Sequence, residues 1–355
     1  MTGVSGRHRV AAIDCGTNSI RLLVTEASST PPAPGSMTAA TLSSAQLTEV
    51  ERRVEITRLG QGVDVTGEFH PDALARTLAV VTDYAETIRR LGGVEAVRFI
   101  ATSASRDARN REEFFAGVRS AFAGLPGMLD GVLGGAVEAE VISGDKEARL
   151  SFAGATSAVA NTSEGPYLMV DLGGGSTELV LGQSAPIAAY SMNIGSVRLS
   201  ERHFKESMLP GGAAPTPMQI AAARADIQAS LDAAAAVVPL HETRTLVGLA
   251  GTITSVTALA LGLSRYDRNA INGAVLPIEA VLDACDSLLR MNHAERRALG
   301  FLQPMRADVI GAGALIWFEV ISRVRAEMAA VGQTLEAVTT SEHDILDGIA
   351  LTMLT

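Results

Sequence analysis

Apolar and polar positions along this chain fall into short bursts, and the bursts arrive in one order twice. Residues 9–26 hold two apolar runs on either side of a polar turn. Residues 47–58 alternate as a third strand that carries Arg52, Arg53 and Arg58. Between them, residues 28–45 are rich in Ser, Thr, Pro and Ala and predict a flexible surface extension. Over 71–91 the pattern becomes helical: Leu74, Leu78, Val81, Ala85 and Ile88 share one stripe, Pro71 opens it, and Gly92 and Gly93 close it. A strand at 94–101, a polar segment at 102–110, a helix at 111–123, a strand at 136–142 and a helix starting near Lys146 follow.

The second half repeats this. Strands are expected at 167–172, 178–182 and 187–194, a helix near 217–236 and a strand at 245–249. The turn Ala250-Gly251-Thr252 then leads into a helix that ends near Leu261. Helices near 277–291 and 304–325, a strand near 335–339 and a helix near 344–354 complete the chain. Three strands, helix, strand, helix, strand, helix is the order of a ribonuclease-H-like domain. Meeting it twice predicts an α/β fold of two such domains, 1–145 and 146–355, with a cleft between them. The last helix is able to pack back on the first domain.

Composition narrows the chemistry. With 355 residues, 47% of them hydrophobic, the chain can fill two cores. No apolar run approaches the ~18 residues of a membrane span, and Met1–Arg9 carries no apolar signal core. Cys15 and Cys285 have neither metal-ligand spacing nor the numbers of a disulfide framework, which points to a reducing cytoplasm. Cys15 reads as a small buried filler, and Trp317, on an apolar helix, reads as core. A net charge of −10 argues against non-specific nucleic-acid binding. A polyanionic substrate would have to be drawn in by local basic residues, and Arg52, Arg53, Arg58 and Arg106 are expected to line a short path.

The two polar turns carry the candidate chemistry. The first is Asp14-Cys15-Gly16-Thr17-Asn18-Ser19, the second Asp171-Leu172-Gly173-Gly174-Gly175-Ser176-Thr177-Glu178. Glycine lets backbone N–H groups approach an anion, and Ser and Thr add hydroxyl donors. An Asp at a strand end can hold a divalent cation directly or through water. Two such loops facing each other would grip a phosphate chain and its metal.

Three further motifs join them in order: Ala101-Thr102-Ser103-Ala104-Ser105-Arg106-Asp107-Ala108-Arg109-Asn110, Val141-Ile142-Ser143-Gly144-Asp145-Lys146-Glu147-Ala148-Arg149-Leu150, and Gly248-Leu249-Ala250-Gly251-Thr252. With these five, the chain resembles the exopolyphosphatase/guanosine pentaphosphate phosphatase (Ppx/GppA) family of the sugar-kinase, heat-shock-70 and actin superfamily, over nearly its whole length. It looks like the short form, with two core domains and no additional helical domain of the HD type. The resemblance implies Glu147 as general base. It departs from the family's usual pair of acids only in having Lys146 before Glu147.

Together, residues and resemblance give a candidate site. Asp14 and Asp171 are expected to hold Mg²⁺, or Mn²⁺, with Glu178 assisting. Gly16, Thr17, Asn18, Ser19, Gly173, Gly174, Gly175, Ser176 and Thr177 are expected to cradle phosphates. Arg106 and Asn110 resemble family positions near the phosphate path, and Gly251-Thr252, after a strand and opening a helix, is a natural anion site. The expected activity is Mg²⁺-dependent removal of terminal phosphate from inorganic polyphosphate, on short rather than long chains. The alternatives are guanosine pentaphosphate hydrolysis to the tetraphosphate, a non-catalytic nucleotide or alarmone sensor, and an ATP-dependent kinase. A kinase typically needs a catalytic Asp, whereas this chain offers the Glu147 motif. Partners in nucleic acid or membrane are not expected, and a homodimer is compatible with the sequence.

Overall fold

The computed structural model describes residues 7–28, 47–129, 132–159 and 164–354. The extension expected over 28–45 therefore lies almost wholly outside the described residues. The chain divides into two compact units. One comprises the chain up to Ser143 together with the segment from Ile345, and the other is Gly144–Asp344.

In the first unit the elements run β1 (Arg7–Cys15), β2 (Ser19–Ser28), β3 (Leu47–Ile56), α1 (Val63–Thr66), α2 (Pro71–Arg90), β4 (Ala96–Ala101), α3 (Ser103–Asp107), α4 (Arg111–Ala121), the short antiparallel pair β5 (Met128–Leu129) and β6 (Val132–Leu133), and β7 (Ala139–Val141). The sheet order is β3-β2-β1-β4-β7, antiparallel among the first three strands and parallel from β1 onward.

The second unit runs α5 (Gly144–Val159), β8 (Tyr167–Leu172), β9 (Thr177–Gly182), β10 (Pro186–Met192), α6 (Ser196–His203), α7 (Pro217–Ala235), β11 (Thr245–Leu249), α8 (Ala250–Ala260), α9 (Arg268–Ile271), β12 (Val275–Pro277), α10 (Ile278–Arg290), α11 (His293–Arg297), α12 (Ile310–Ala330) and β13 (Ala337–Thr340). Its order β10-β9-β8-β11-β13 repeats that of the first unit, and β12 adds one antiparallel edge strand. The α/β duplication expected from the sequence is present. The closing helix α13 (Ile345–Leu354) belongs to the first unit, where it lies against β1 and β2.

Local chemistry explains the principal elements. Pro71 occupies the first turn of α2, where a missing N–H costs nothing, and the His70 side chain accepts from Asp72 N. Leu74, Val81, Tyr84, Ala85 and Ile88 form its buried stripe, and Gly92 and Gly93 take positive φ just beyond its end. Phe69, Phe99, Phe114 and Phe122 meet edge to face at centroid separations of 6.0–6.1 Å. Such pairs contribute about 0.5–1.5 kcal/mol beyond their area. Every residue of β4, β8 and β9 is buried, as strands covered on both faces require. Cys15 and Trp317 are core, 1% and 0% exposed.

The structure adds what periodicity did not show. The polar stretch 102–110 contains α3, and α6, α9, α11 and β12 were not anticipated. The helix expected over 304–325 opens at Ile310, because Pro304–Arg306 forms a separate single turn. Among the described residues no helix is long and apolar enough to cross a membrane.

Strand alternation decides what faces what. In β8, Leu168, Val170 and Leu172 pack in the core that holds Ile253 and Trp317, whereas Tyr167 and Met169 pack with Ala148, Phe152 and Ala155 of α5. Asp171 follows Met169 by two, and Glu178 precedes Val180 by two, so both acids lie on the face that α5 covers. In β1, Ala11, Ile13 and Cys15 belong to the main core, which leaves Asp14 on the opposite face.

Candidate active site

The two loops are built alike. In the first, Gly16 N donates to Ser19 O at 2.9 Å, and in the second Gly173 N donates to Ser176 O at 3.0 Å. Each loop therefore turns through four residues between paired strand ends, Cys15 with Ile20 and Leu172 with Thr177.

Neighbouring segments hold the loop carbonyls. In the second unit, Ser196 N donates to Gly173 O (3.0 Å), Val197 N to Gly174 O (2.8 Å), and Arg198 Nε to Gly175 O (2.9 Å). A trans peptide sets each N–H opposite the preceding C=O. The N–H groups of Gly174, Gly175 and Ser176 thus point away from α6 and Arg198, the orientation that an anion-binding loop needs. Gly195 allows this approach, since a Cβ there would lie 2.4 Å from Gly174 C and O. In the first unit, Thr57 N and Arg58 N donate to Asn18 O (3.1 and 2.9 Å), and Gly60 N to Thr17 O (2.9 Å). By the same geometry the N–H groups of Asn18 and Ser19 face the other way. The buried hydroxyls of Thr17 and Ser103 meet at 2.6 Å.

What differs between the copies is the residue opposite the aspartate. Asp14 is paired in register with Arg21, whose Nε and terminal nitrogen donate to Asp14 Oδ2 at 2.9 and 2.6 Å. Asp171 is paired in register with Glu178. Like charges directly opposed on neighbouring strands destabilise a sheet, whereas opposite charges stabilise it. Glu147, in the first turn of α5, completes a group of three buried acids: 9% exposed, with Asp171 at 7% and Glu178 at 1%.

Burial first, then the charges of Glu147 and Asp171, push the Glu178 carboxyl well above the usual carboxylate range; hydrogen bonds from Ser191 and Ser176 work against the shift. Ser191 Oγ donates to Glu178 Oε1 at 2.7 Å, and Ser151 Oγ donates to Asp171 Oδ2 at 2.6 Å. Gly144, at the start of α5, makes room for Ser191, whose Cβ and Oγ lie 2.6 and 2.8 Å from where a Cβ would be.

The other sequence-selected residues fall as follows. Arg106 donates to Ile142 O (2.9 Å), which ties α3 to the end of β7. Asn110 accepts from Phe69 N (2.8 Å) and donates to Phe69 O (3.1 Å), so both polar ends of its amide hold its own unit's backbone. Thr252 is 3% exposed and packed against Gly313, and the Arg306 guanidinium lies over Gly251. Ala250, entering α8, takes φ +68°, a left-handed conformation costing about 1–2 kcal/mol for a non-glycine residue. Of the four cations expected to line a basic path, Arg52, Arg53, Arg58 and Arg106, two are taken up in ion pairs of the first unit. Arg52 is paired with Asp347 and Glu49, and Arg53 with Asp83 and Glu55, over the Tyr84 ring.

Sequence reasoning missed Arg21, Ser151, Ser191 and Arg306. Aligning the two copies would have found Arg21, since it stands seven residues after Asp14 as Glu178 stands seven after Asp171. Ser151 lies one helical turn after Glu147.

Among the described residues no three His, Cys, Asp or Glu side chains form a ready-made metal cage. The acids present nevertheless fit Mg²⁺ or Mn²⁺. Their oxygens are hard donors, Mg²⁺ is commonly held by one or two carboxylates plus substrate phosphates, and a cation would offset both the burial and the neighbouring acid charges that raise Glu178.

A model of the Ppx/GppA phosphatase family matches residues 39–341. The chain belongs to the Ppx/GppA phosphatase family. Exopolyphosphatase 2 of Mycobacterium tuberculosis is 44% identical to it, over 97% of this chain and 98% of its own. A crystal structure of an exopolyphosphatase-like protein is 40% identical with a TM-score of 0.83, covering 97% and 98% of the two chains. The Ppx/GppA enzyme of Aquifex aeolicus is 26% identical with a TM-score of 0.70, covering 98% of this chain and all of that one.

Proposed function

We propose that this chain is an exopolyphosphatase, a hydrolase that cuts the terminal phosphoanhydride of inorganic polyphosphate. The family membership and the near-full-length similarity to a protein named exopolyphosphatase support the substrate class. The observation that carries the chemistry is the buried acid group of the second unit, with Asp171 and Glu178 opposed on adjacent strands and Glu147 on the helix that covers them.

Donors from Gly174 to Ser176 would orient the terminal phosphate oxygens, and in the first unit Asn18 and Ser19 offer a matching donor set. Glu147 would accept a proton from water as its oxygen attacks the terminal phosphorus. The bond to the bridging oxygen then breaks, releasing orthophosphate and a chain one phosphate shorter. Asp171 and Glu178 are the residues that would hold Mg²⁺ or Mn²⁺, which when bound neutralises phosphate charge, and Asp14 offers a carboxylate of the same kind in the first unit.

Phosphate release from polyphosphate, guanosine pentaphosphate and ATP, measured side by side, tests the substrate, and polyphosphate is expected to lead. Glu147→Gln should lower kcat by about 10²–10⁴-fold while polyphosphate binding persists. Near-normal turnover in that variant would remove Glu147 from the mechanism, and turnover of guanosine pentaphosphate alone would reassign the substrate.

A further inference from the structure

Ser151 sits in the middle of α5 and is 1% exposed. A serine inside a helix commonly returns its hydroxyl to a carbonyl of the preceding turn. Thr156 and Ser157 of the same helix do so, donating to Phe152 O and Gly154 O. Ser151 instead reaches out of its helix and donates to Asp171 Oδ2 at 2.6 Å, a charge-assisted distance. A hydroxyl has one proton, so this bond commits the side chain.

Its location gives the bond a second consequence. Residues four apart share one face of a helix, so Ser151 and Glu147 project to the same side one turn apart. Fixing Ser151 on Asp171 fixes the rotation of α5 about its axis, and with it the place of Glu147 beside Asp171 and Glu178. The neighbouring residues on this face, Ala148, Phe152 and Ala155, are apolar and buried, and their packing names no single polar partner for the helix. The hydrogen bond is directional and names one.

We infer that Ser151 is a positioning residue for the reaction. Its hydroxyl locks the Asp171 carboxylate in one rotamer and sets the register between the strand that bears Asp171 and the helix that bears Glu147. The inference rests on the proposed catalytic roles of those two acids.

Three variants of the full chain separate the hydroxyl from the packing: Ser151→Ala, Ser151→Thr and Ser151→Val. Thr and Val have the same shape and differ in the hydroxyl. With polyphosphate as substrate, Ala and Val are expected to lose about 10–100-fold in kcat, the usual cost of removing an outer-shell partner, with KM within about threefold. Thr should recover most of the loss. A second readout needs no activity. In denaturant unfolding, the effect of Ser151→Ala should largely vanish when Asp171→Ala is already present, because the serine acts through that carboxylate.

Equal kcat for wild type and Ser151→Ala would overturn the inference. So would equal losses in Thr and Val together with additive unfolding effects, which would assign Ser151 to packing alone. If the wild-type chain releases no phosphate from polyphosphate, the reading of the function fails instead. The unfolding cycle then still decides whether Ser151 acts through Asp171.

Discussion

Asp171 and Glu178 stand directly opposite each other on β8 and β9, at the register where Asp14 faces Arg21 in the first unit. One copy of the duplicated strand–turn–strand pairs its buried acid with a cation, and the other sets acid against acid. The second arrangement is costly in the absence of a cation: burial first, and then the charges of Glu147 and Asp171, raise the Glu178 carboxyl.

That cost gives a pH prediction with a definite sign. An unfolded glutamate titrates near ~4.3. In the folded chain Glu178 holds its proton to higher pH, so between those two values the folded state binds more protons than the unfolded one. Stability of the chain freed of divalent ions should therefore fall as pH rises out of the ordinary carboxylate range and through the raised Glu178 value, then level off. Glu178→Gln, neutral and of the same shape, should lack this fall and melt at least ~2 °C higher at pH 8 without metal, while losing activity. Thermal unfolding at pH 5 and pH 8 checks it. A Gln variant that melts lower than wild type at pH 8 would refute the account of Glu178 as a buried carboxyl crowded by like charges.

Activity should depend on a divalent ion. EDTA should abolish phosphate release and Mg²⁺ or Mn²⁺ should restore it. Asp171→Asn should raise the metal concentration for half-maximal rate by at least ~10-fold, the lower end of what outer-shell partners alone cost. Asp14→Asn should behave differently, because it leaves the Arg21 guanidinium beside a neutral amide. We expect a loss of stability along with any loss of activity. Full turnover after exhaustive chelation would defeat the metal role of these carboxylates.

Much of this architecture was legible in the sequence because it rests on period. The paired apolar runs around Asp14 and Asp171, the stripe of α2 and the Gly251 turn are local patterns, and they appear as strands, helix and strand–helix junction. The acids Glu147, Asp171 and Glu178 were singled out for their motifs, and strand alternation places Asp171 and Glu178 on the face that the helix bearing Glu147 covers. What was not legible depends on partners distant in sequence. Arg52 and Arg53 read as exposed cations until Asp347 and Asp83 are seen beside them. The α6 helix is short, and its first N–H groups donate to the carbonyls of Gly173 and Gly174, which no local pattern announces.

The pair Arg52–Asp347 ties the closing helix to its sheet. Arg52 donates to Asp347 Oδ1 at 2.6 Å, with side chains 14% and 4% exposed. Removing one partner of a buried pair costs about 3–5 kcal/mol when the other charge is left unpaired, and less here because Arg52 keeps Glu49 at 2.8 Å. Asp347→Ala should therefore destabilise the chain by about 1–3 kcal/mol in urea unfolding. Hydrogen exchange in 345–354 should accelerate more than in β8 or β11. Unchanged exchange in that helix would show that apolar packing of Ile345, Leu346 and Ile349 holds it without the ion pair.

The same ion pairs bear on how the chain handles a long polymer. Processive digestion needs many electrostatic contacts along the substrate, since each added contact raises the chance of rebinding over escape. Arg52 and Arg53 are neutralised within their own unit, and the net charge of −10 repels a polyanion at distance. Short and medium chains should therefore be turned over at least as fast per terminus as very long ones. Gel-resolved time courses should show a ladder of intermediate lengths, as expected when the enzyme lets go after few cuts. Long chains that vanish with no intermediates would show sustained grip, and would mean that cations other than Arg52 and Arg53 track the polymer.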